Sequence, residues 1–158
     1  MNNRKKLTAL NISLCAAGIA LHIILELFLT IRIGNDLKVT LSGLPFLVLA
    51  FLYGPWHGFI SGLVGTFLSQ LLTFGITLST PFWIFPYALQ ALTAGLVFRA
   101  FRKRIGIVPV GVSVFAGGLV QVIWNLFASY MDGVVLFKYW TVDVLVALIP
   151  VRLLVWVG

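Results

Sequence analysis

The chain has 158 residues, 61% hydrophobic and 9% charged, with eleven basic residues against four acidic ones and a net charge of +7. A mean hydropathy of +1.09 is more apolar surface than a soluble domain can hide from water, so a water-soluble globular protein is excluded and lipid is the expected solvent. Nucleic-acid binding is disfavoured as well, because seven basic residues stand in two clusters, Arg4-Lys5-Lys6 and Arg99 with Arg102-Lys103-Arg104, rather than along a soluble face.

Under the positive-inside rule both clusters read as cytoplasmic anchors, drawn to anionic inner-leaflet lipid. A hydrocarbon core about 30 Å thick needs about 20 helical residues, and the first apolar stretch, about 7–31, meets that length. It follows a basic start but has no small-residue cleavage pattern before the next polar segment, so it is read as a retained span rather than a signal peptide. Cys15 lies inside it; as the chain's one cysteine it forms no internal disulfide, and packing is its expected role. Residues 32–40 make an outer loop. The second span, about 41–53, is short for a perpendicular crossing and carries Pro45 in its first turns, where proline is tolerated. Gly54-Pro55 makes an inner turn into the third span, about 56–74, whose Gly58, Ser61, Gly62, Gly65 and Ser69 lie near one face and allow close helix approach. After a polar outer loop, 75–81, the fourth span, about 82–98, presents Ala91 and Gly95 and ends on the second basic cluster. The fifth covers about 107–130, with an outer loop at 131–138. A last apolar stretch, about 139–158, is interrupted by Pro150-Val151-Arg152 and stops without a basic anchor, so the chain is expected to continue.

The expectation is an all-α integral membrane protein: six transmembrane helices in one bundle, a single membrane domain over 1–158, with a cytoplasmic amino terminus. That arrangement puts both basic clusters inside and leaves Asp36, Asp132 and Asp143 at or near the outer surface. Function then belongs to polar residues that lipid would reject, because they persist only where a bundle interior or a cavity receives them. His22 and Glu26 are one turn apart on the first span. Thr66, Gln70 and Thr73 share a face of the third, Trp83, Tyr87 and Gln90 of the fourth, and Gln121, Asn125 and Ser129 of the fifth. All four stripes fall in the outer halves of their helices. The inner halves are mainly Leu, Ile, Val, Phe, Ala and Gly, which speaks against a channel and for a capture site opening outward.

Each stripe also has a structural reading. Single glutamines or asparagines often hydrogen-bond a neighbouring helix, worth about 0.6 to 2 kcal/mol, and Trp83, Tyr87 and Trp124 fit an interfacial belt as well as a stacking platform for a planar ligand. His22 and Glu26 at i and i+4 have the spacing of two metal ligands, but no third ligand joins them on their helix, and a hydrogen-bonded pair lining a cavity is the better reading. Arg152 is placed as the partner of Asp143 or Glu26, or of a ligand carboxylate. There is no Walker motif, nucleophile elbow or catalytic carboxylate pair, so the chain is not expected to be an enzyme or to hydrolyse ATP by itself, and no cofactor or metal is expected.

The run from Leu44-Pro45 to Leu52-Tyr53-Gly54-Pro55, followed by Gly58, Gly62 and Gly65, resembles the second and third helices of the substrate-binding S components of energy-coupling factor (ECF) transporters. That group includes folate, pantothenate and pyrimidine-type vitamin binders. Ala16-Ala17-Gly18-Ile19-Ala20 after a basic start is similar to the family's AxxxA face on helix one, and the resemblance extends from about Lys5 to Val155. It implies a six-helix protein of the bacterial cytoplasmic membrane that captures a vitamin outside and works with a transmembrane coupling subunit and two ATPase subunits. By that analogy Ala16 and Ala20 pack against the coupling subunit, and loop 32–40 helps close the site.

The candidate lining is His22, Glu26, Gln70, Trp83, Tyr87, Gln90, Gln121, Trp124 and Asn125. It is aromatic and neutral-polar with one acid and one imidazole, which suits a small heteroaromatic ring flanked by donors and acceptors. A hydroxymethylpyrimidine or pyridoxine type of ligand therefore leads, then folate, then pantothenate, which would rely on Arg152 or Arg32. The alternative is a small membrane enzyme using His22 and Glu26 as an acid/base pair, or a membrane assembly factor.

Overall fold

The computed structural model describes residues 3–33, 37–101 and 106–138, and beyond them only positions 143, 146, 147 and 150; most of the expected last span, 139–158, lies outside the described residues, as does Arg152. Helix α1 runs Asn3–Phe28, α2 Leu44–Leu52, α3 Pro55–Phe74, α4 Thr80–Trp83, α5 Phe85–Ala100 and α6 Ile107–Tyr130. Strands β1 (Ile31–Ile33) and β2 (Leu37–Val39) lie between α1 and α2. By length and composition, three helical stretches among the described residues suffice to cross a membrane: Ala9–Phe28, Thr80–Ala100 and Ile107–Leu136. Helix α3 is 20 residues long. The nine residues of α2 rise only about 14 Å at 1.5 Å each, so α2 is half a crossing sheltered by its neighbours.

Three features differ from a purely helical expectation. The loop after α1 forms an antiparallel hairpin with Ile31 opposite Val39, Arg32 opposite Lys38 and Ile33 opposite Leu37. Its sequence alternates apolar and charged residues with a period of two around Gly34-Asn35-Asp36, a strand pattern with turn-forming residue types between. The expected fourth span is broken into α4 and α5 at Ile84. Beyond α6, Met131–Leu136 continues as a π-helical segment where a loop was expected.

Helix pairing is set by missing side chains. A Cβ on Gly58 would meet Ala50 Cβ at 2.6 Å and Phe46 O at 2.8 Å, and one on Gly62 would meet Ala88 Cα at 2.9 Å. One on Gly95 would meet Pro55 Cα at 2.8 Å, and one on Gly117 would meet Gln90 O at 2.6 Å. These contacts run α2 antiparallel to α3, α3 to α5 and α5 to α6, with α5 central. In lipid, where burial of apolar surface no longer discriminates, such backbone proximity is a main source of helix association. The core is Phe46, Ala50 and Ala91, with Ile19 and Tyr87 packed on it. One end of the bundle gathers the start of α1, the Gly54-Pro55 turn, Arg99 and the start of α6; the other gathers the hairpin, the 75–79 loop and the π-helical segment. At the basic end Gly54 takes φ 118°, a conformation that favours glycine, and the Arg99 guanidinium lies against it.

The α4–α5 break has an identifiable cause. Pro86 has no N–H, so the Phe82 carbonyl four residues earlier lacks its helical donor. Trp124 of α6 fills the gap: its indole Nε1–H donates to Phe82 O at 2.8 Å, while its ring lies 5.4 Å from both Phe85 and Phe127. Trp124→Phe should therefore cost about 1 to 3 kcal/mol through the unpaired carbonyl. The loss should shrink in a Pro86→Ala background, where residue 86 regains an N–H. Thermal unfolding of the four detergent-solubilised proteins measures this coupling, and equal losses in both backgrounds would show that the indole bond does not compensate for the proline.

Candidate functional site

At the end opposite Arg99 and the start of α1, one residue ties three elements together. Ser42, fully buried between the hairpin and α2, accepts a hydrogen bond on its carbonyl from His22 Nδ1 at 2.7 Å and donates its hydroxyl to Glu26 Oε2 at 2.6 Å. The same hydroxyl lies 3.3 Å from the Tyr87 phenol, and the Ser42 N–H donates to Thr40 Oγ1 at 3.1 Å. A carbonyl only accepts, so the proton on His22 resides at Nδ1. His22 and Glu26, one turn apart on α1, thus meet through Ser42.

The next residue sets the approach of α2 to α5. A Cβ on Gly43 would fall 3.0 Å from both Gln90 Oε1 and Tyr87 Cδ1. Its φ of −76° is ordinary, so glycine is needed here for space and not for backbone conformation. His22 is fully buried, its ring 4.6 Å from Phe46 and 5.5 Å from Tyr87, and it supports the cluster from behind.

Of the residues expected from sequence, the structure joins His22, Glu26, Tyr87 and Gln90 around the Ser42-Gly43 segment. Trp124 is half-buried, with its N–H engaged by the Phe82 carbonyl. Gln70 on α3, Trp83 on α4, and Gln121 and Asn125 on α6 are half-buried at the same end of the bundle. Gln121 lies one turn beyond Gly117, on the stripe of α6 that faces α5. Ala16 and Ala20 are exposed on α1, while Gly18 and His22 on its other side are buried.

Two kinds of residue stand outside the lining expected from sequence. Ser42 is of a residue type common at helix starts and stands just before Gly43, the N-cap of α2, yet its hydroxyl turns to Glu26. Its place beside a polar outer loop was the available signal. On α3, the Thr66 and Ser69 hydroxyls are buried and have no hydrogen-bond partner among the described residues. Ser13, Thr30 and Ser113 all bond the carbonyl four residues back, so Thr66 and Ser69 forgo a partner that is normally in reach. Helical spacing puts Ser69 one turn beyond Gly65, which faces Phe46 and His22, and Thr66 one turn beyond Gly62, which faces Tyr87 and Ala88.

A serine, a histidine and a glutamate side by side suggest nucleophilic catalysis, but the atoms are wrongly connected. An activated serine needs an imidazole nitrogen to accept its hydroxyl proton. Here the Ser42 hydroxyl goes to Glu26, and His22 Nδ1 meets the Ser42 carbonyl, not its hydroxyl. Among the described residues no group of three or more His, Cys, Asp and Glu is placed to hold a metal ion.

A family model for the ECF-type riboflavin transporter, S component, matches residues 6–154. Among curated proteins, a UPF0397 protein of Lactobacillus johnsonii is 35% identical over 97 residues, 61% of this chain and 51% of that one. A UPF0397 protein of Lacticaseibacillus casei is 28% identical over 142 residues, 84% of this chain and 73% of that one. The alignment with the first spans about half that relative's length. Among solved structures, the S component of a bacterial ECF transporter aligns with a TM-score of 0.67 over 95% of this chain and 88% of that chain, at 18% identity, a likeness of fold.

Proposed function

The chain belongs to the family of ECF-type riboflavin transporter S components, and from that premise we propose that it captures a planar heteroaromatic vitamin at the outer end of the bundle. The Ser42 cluster carries this reading: it gathers an acid, a phenol and, through Gly43, an amide from α1, the post-hairpin segment and α5 at one depth. Buried polar groups in lipid are expensive unless partnered, and the buried Thr66 and Ser69 hydroxyls add capacity for a polar ligand on α3. Glu26, Gln70, Trp83, Tyr87, Gln90, Gln121, Trp124 and Asn125 form the lining, with His22 behind it. The ligand is a ring flanked by donors and acceptors, of hydroxymethylpyrimidine or pyridoxine type; the family description adds riboflavin to that class, and folate and then pantothenate rank lower. The protein sits as a multi-pass component of a bacterial cytoplasmic membrane and delivers its ligand through a transmembrane coupling subunit powered by two ATPases.

Calorimetry on the purified protein with riboflavin, hydroxymethylpyrimidine, pyridoxine, folate and pantothenate tests capture directly. Gln90→Ala and Asn125→Ala should each weaken the bound member by roughly 5- to 150-fold, the equivalent of about 1 to 3 kcal/mol, without unfolding the bundle. Unchanged affinity in both variants would return these amides to the role of helix-to-helix glue.

Ala16 and Ala20 lie on an exposed stripe of α1, and small residues admit a close helix partner. Ala16→Trp or Ala20→Trp should impair uptake and assembly with the ATP-driven subunits while leaving ligand affinity within about threefold, since added bulk disrupts a tight contact but not a remote one. Loss of binding with assembly intact would place the coupling face elsewhere.

The basic clusters orient the amino terminus and the α5–α6 connection toward the cytoplasm. A Lys103→Cys variant lacking Cys15 should resist a membrane-impermeant thiol reagent in intact cells and react once the cells are opened. Labelling from outside would invert the arrangement.

A further inference from the structure

Resting on the capture reading above, we infer that Thr66 and Ser69 of α3 are ligand-binding hydroxyls that select a neutral, hydroxyl-bearing side arm on the captured ring, such as a hydroxymethyl group or a polyol chain.

Thr66 is 4% exposed and Ser69 5%, and neither hydroxyl oxygen has a hydrogen-bond partner among the described residues. A buried hydroxyl without a partner costs stability, most of all where no water reaches it. A ligand hydroxyl would supply the missing bond.

Neighbouring contacts fix the depth of both residues. Helices α1 and α3 both start at the basic end and run outward. A Cβ on Gly65 would lie 3.4 Å from His22 Cδ2, so one turn further out Ser69 stands at the depth of Glu26. Helix α5 runs the opposite way. A Cβ on Gly62 would lie 2.9 Å from Ala88 Cα, so one turn further out Thr66 stands at the depth of Ile84, at the α4–α5 break and next in sequence to Trp83. Thr66, Ser69, Gln70 and Thr73 recur at i, i+3, i+4 and i+7, which is one helical stripe. Burial falls along it from Thr66 and Ser69 through half-buried Gln70 to exposed Thr73. The stripe therefore opens at the outer end and stops inward at Gly62 and Gly65, where Ala88, Phe46 and His22 close it.

The chemistry of the stripe sets the class of group it receives. Helix α3 carries no Asp, Glu, Lys or Arg, so a ligand carboxylate entering here meets no cation from this helix and pays the full cost of a buried charge. A hydroxyl both donates and accepts. Two of them at i and i+3, with Cβ atoms about 5 to 6 Å apart, match the alternating donors and acceptors of a hydroxylated arm.

Calorimetry on the purified full chain tests this with matched probes: riboflavin against lumiflavin, in which a methyl group replaces the hydroxylated chain, and hydroxymethylpyrimidine against the analogue with methyl in place of hydroxymethyl. A site built around a ligand hydroxyl rejects the analogue lacking it, so the wild-type protein should prefer the hydroxylated member at least about tenfold. Thr66→Val and Ser69→Ala should each weaken that member by roughly 5- to 150-fold and its analogue by less than about threefold. Thr66→Ser, which keeps the hydroxyl, should stay within about threefold of wild type. Ser61 is the control: its hydroxyl is also buried and unpartnered, at 0% exposure, but it lies two turns nearer the basic end than Ser69. Ser61→Ala should leave both affinities within about threefold. Without ligand, Thr66→Val should raise the midpoint of thermal unfolding by at least about 2 °C, because it removes an unsatisfied polar atom; a hydroxyl that holds the fold together would give a fall. No preference between paired probes in the wild type, equal losses on both members, a matching loss in Ser61→Ala, or a lowered midpoint would each overturn the inference while leaving capture intact. If the wild-type protein binds none of the probes, both readings fall together.

Discussion

Inside a bilayer a polar group has no water to turn to, and two of the helix contacts in this bundle follow from finding such a group a protein partner. Pro86 removes an N–H and strands the Phe82 carbonyl; the Trp124 indole answers it across the α5–α6 contact. Glu26 and His22 introduce an acid and an imidazole into an apolar helix, and Ser42 answers both with its hydroxyl and its carbonyl. In each case the partner comes from a different element. Satisfying the polar group and docking the helices are therefore one event.

Those docking events need backbones that come close, which the glycines supply. Gly58 and Gly62 bring α3 against α2 and α5, Gly117 brings α6 onto the Gln90 carbonyl, and Gly43 lets the start of α2 meet Tyr87 and Gln90. Hydrogen bonds of 2.6 and 2.7 Å at Ser42 demand helix positions held to fractions of an ångström. Contacts between small residues provide that accuracy, because they leave no long side chain to repack. The two devices overlap at one end of the helices: small residues pack the bundle along its length, and at the Ser42 end polar pairs join them.

Legibility from sequence tracked the range of the interactions. The Gly54-Pro55 turn, the proline-started helices and the faces of small residues are local or periodic features, and α3 begins at Pro55 where the turn was expected. The grouping of His22 with Glu26 and of Tyr87 with Gln90 followed from helical spacing. What spacing does not encode is which helices face one another, so Ser42, 16 positions from Glu26 and 45 from Tyr87, was not singled out. Trp124 read as a stacking platform for the same reason: its partner, Phe82, lies 42 positions away. The α4–α5 break was signalled by Pro86, but a proline inside an apolar run also fits a continuous kinked helix. The hairpin was missed because a six-span reading treats every connection as featureless loop, although its period-two alternation was present.

Under the proposed capture function, the energetics of transport would put α1 in a particular position. A protein with a binding site and no energy source of its own must pass the fact of occupancy to something that has one, and coupling requires a physical element that both sites bias. Helix α1 is the element that has both ends of such a link: His22 and Glu26 meet Ser42 on one face, and Ala16 and Ala20 lie exposed on the other. Between them Gly18 sits against Leu49 of α2, where a Cβ would come within 2.6 Å of the leucine methyl, so the helix is seated closely at its middle. A ligand that draws Glu26 tighter acts on the same rigid rod that a coupling partner would grip two turns away. Within the proposed capture function, the hydrogen bond between Ser42 and Glu26 is thus the contact at which ligand occupancy would first reach α1.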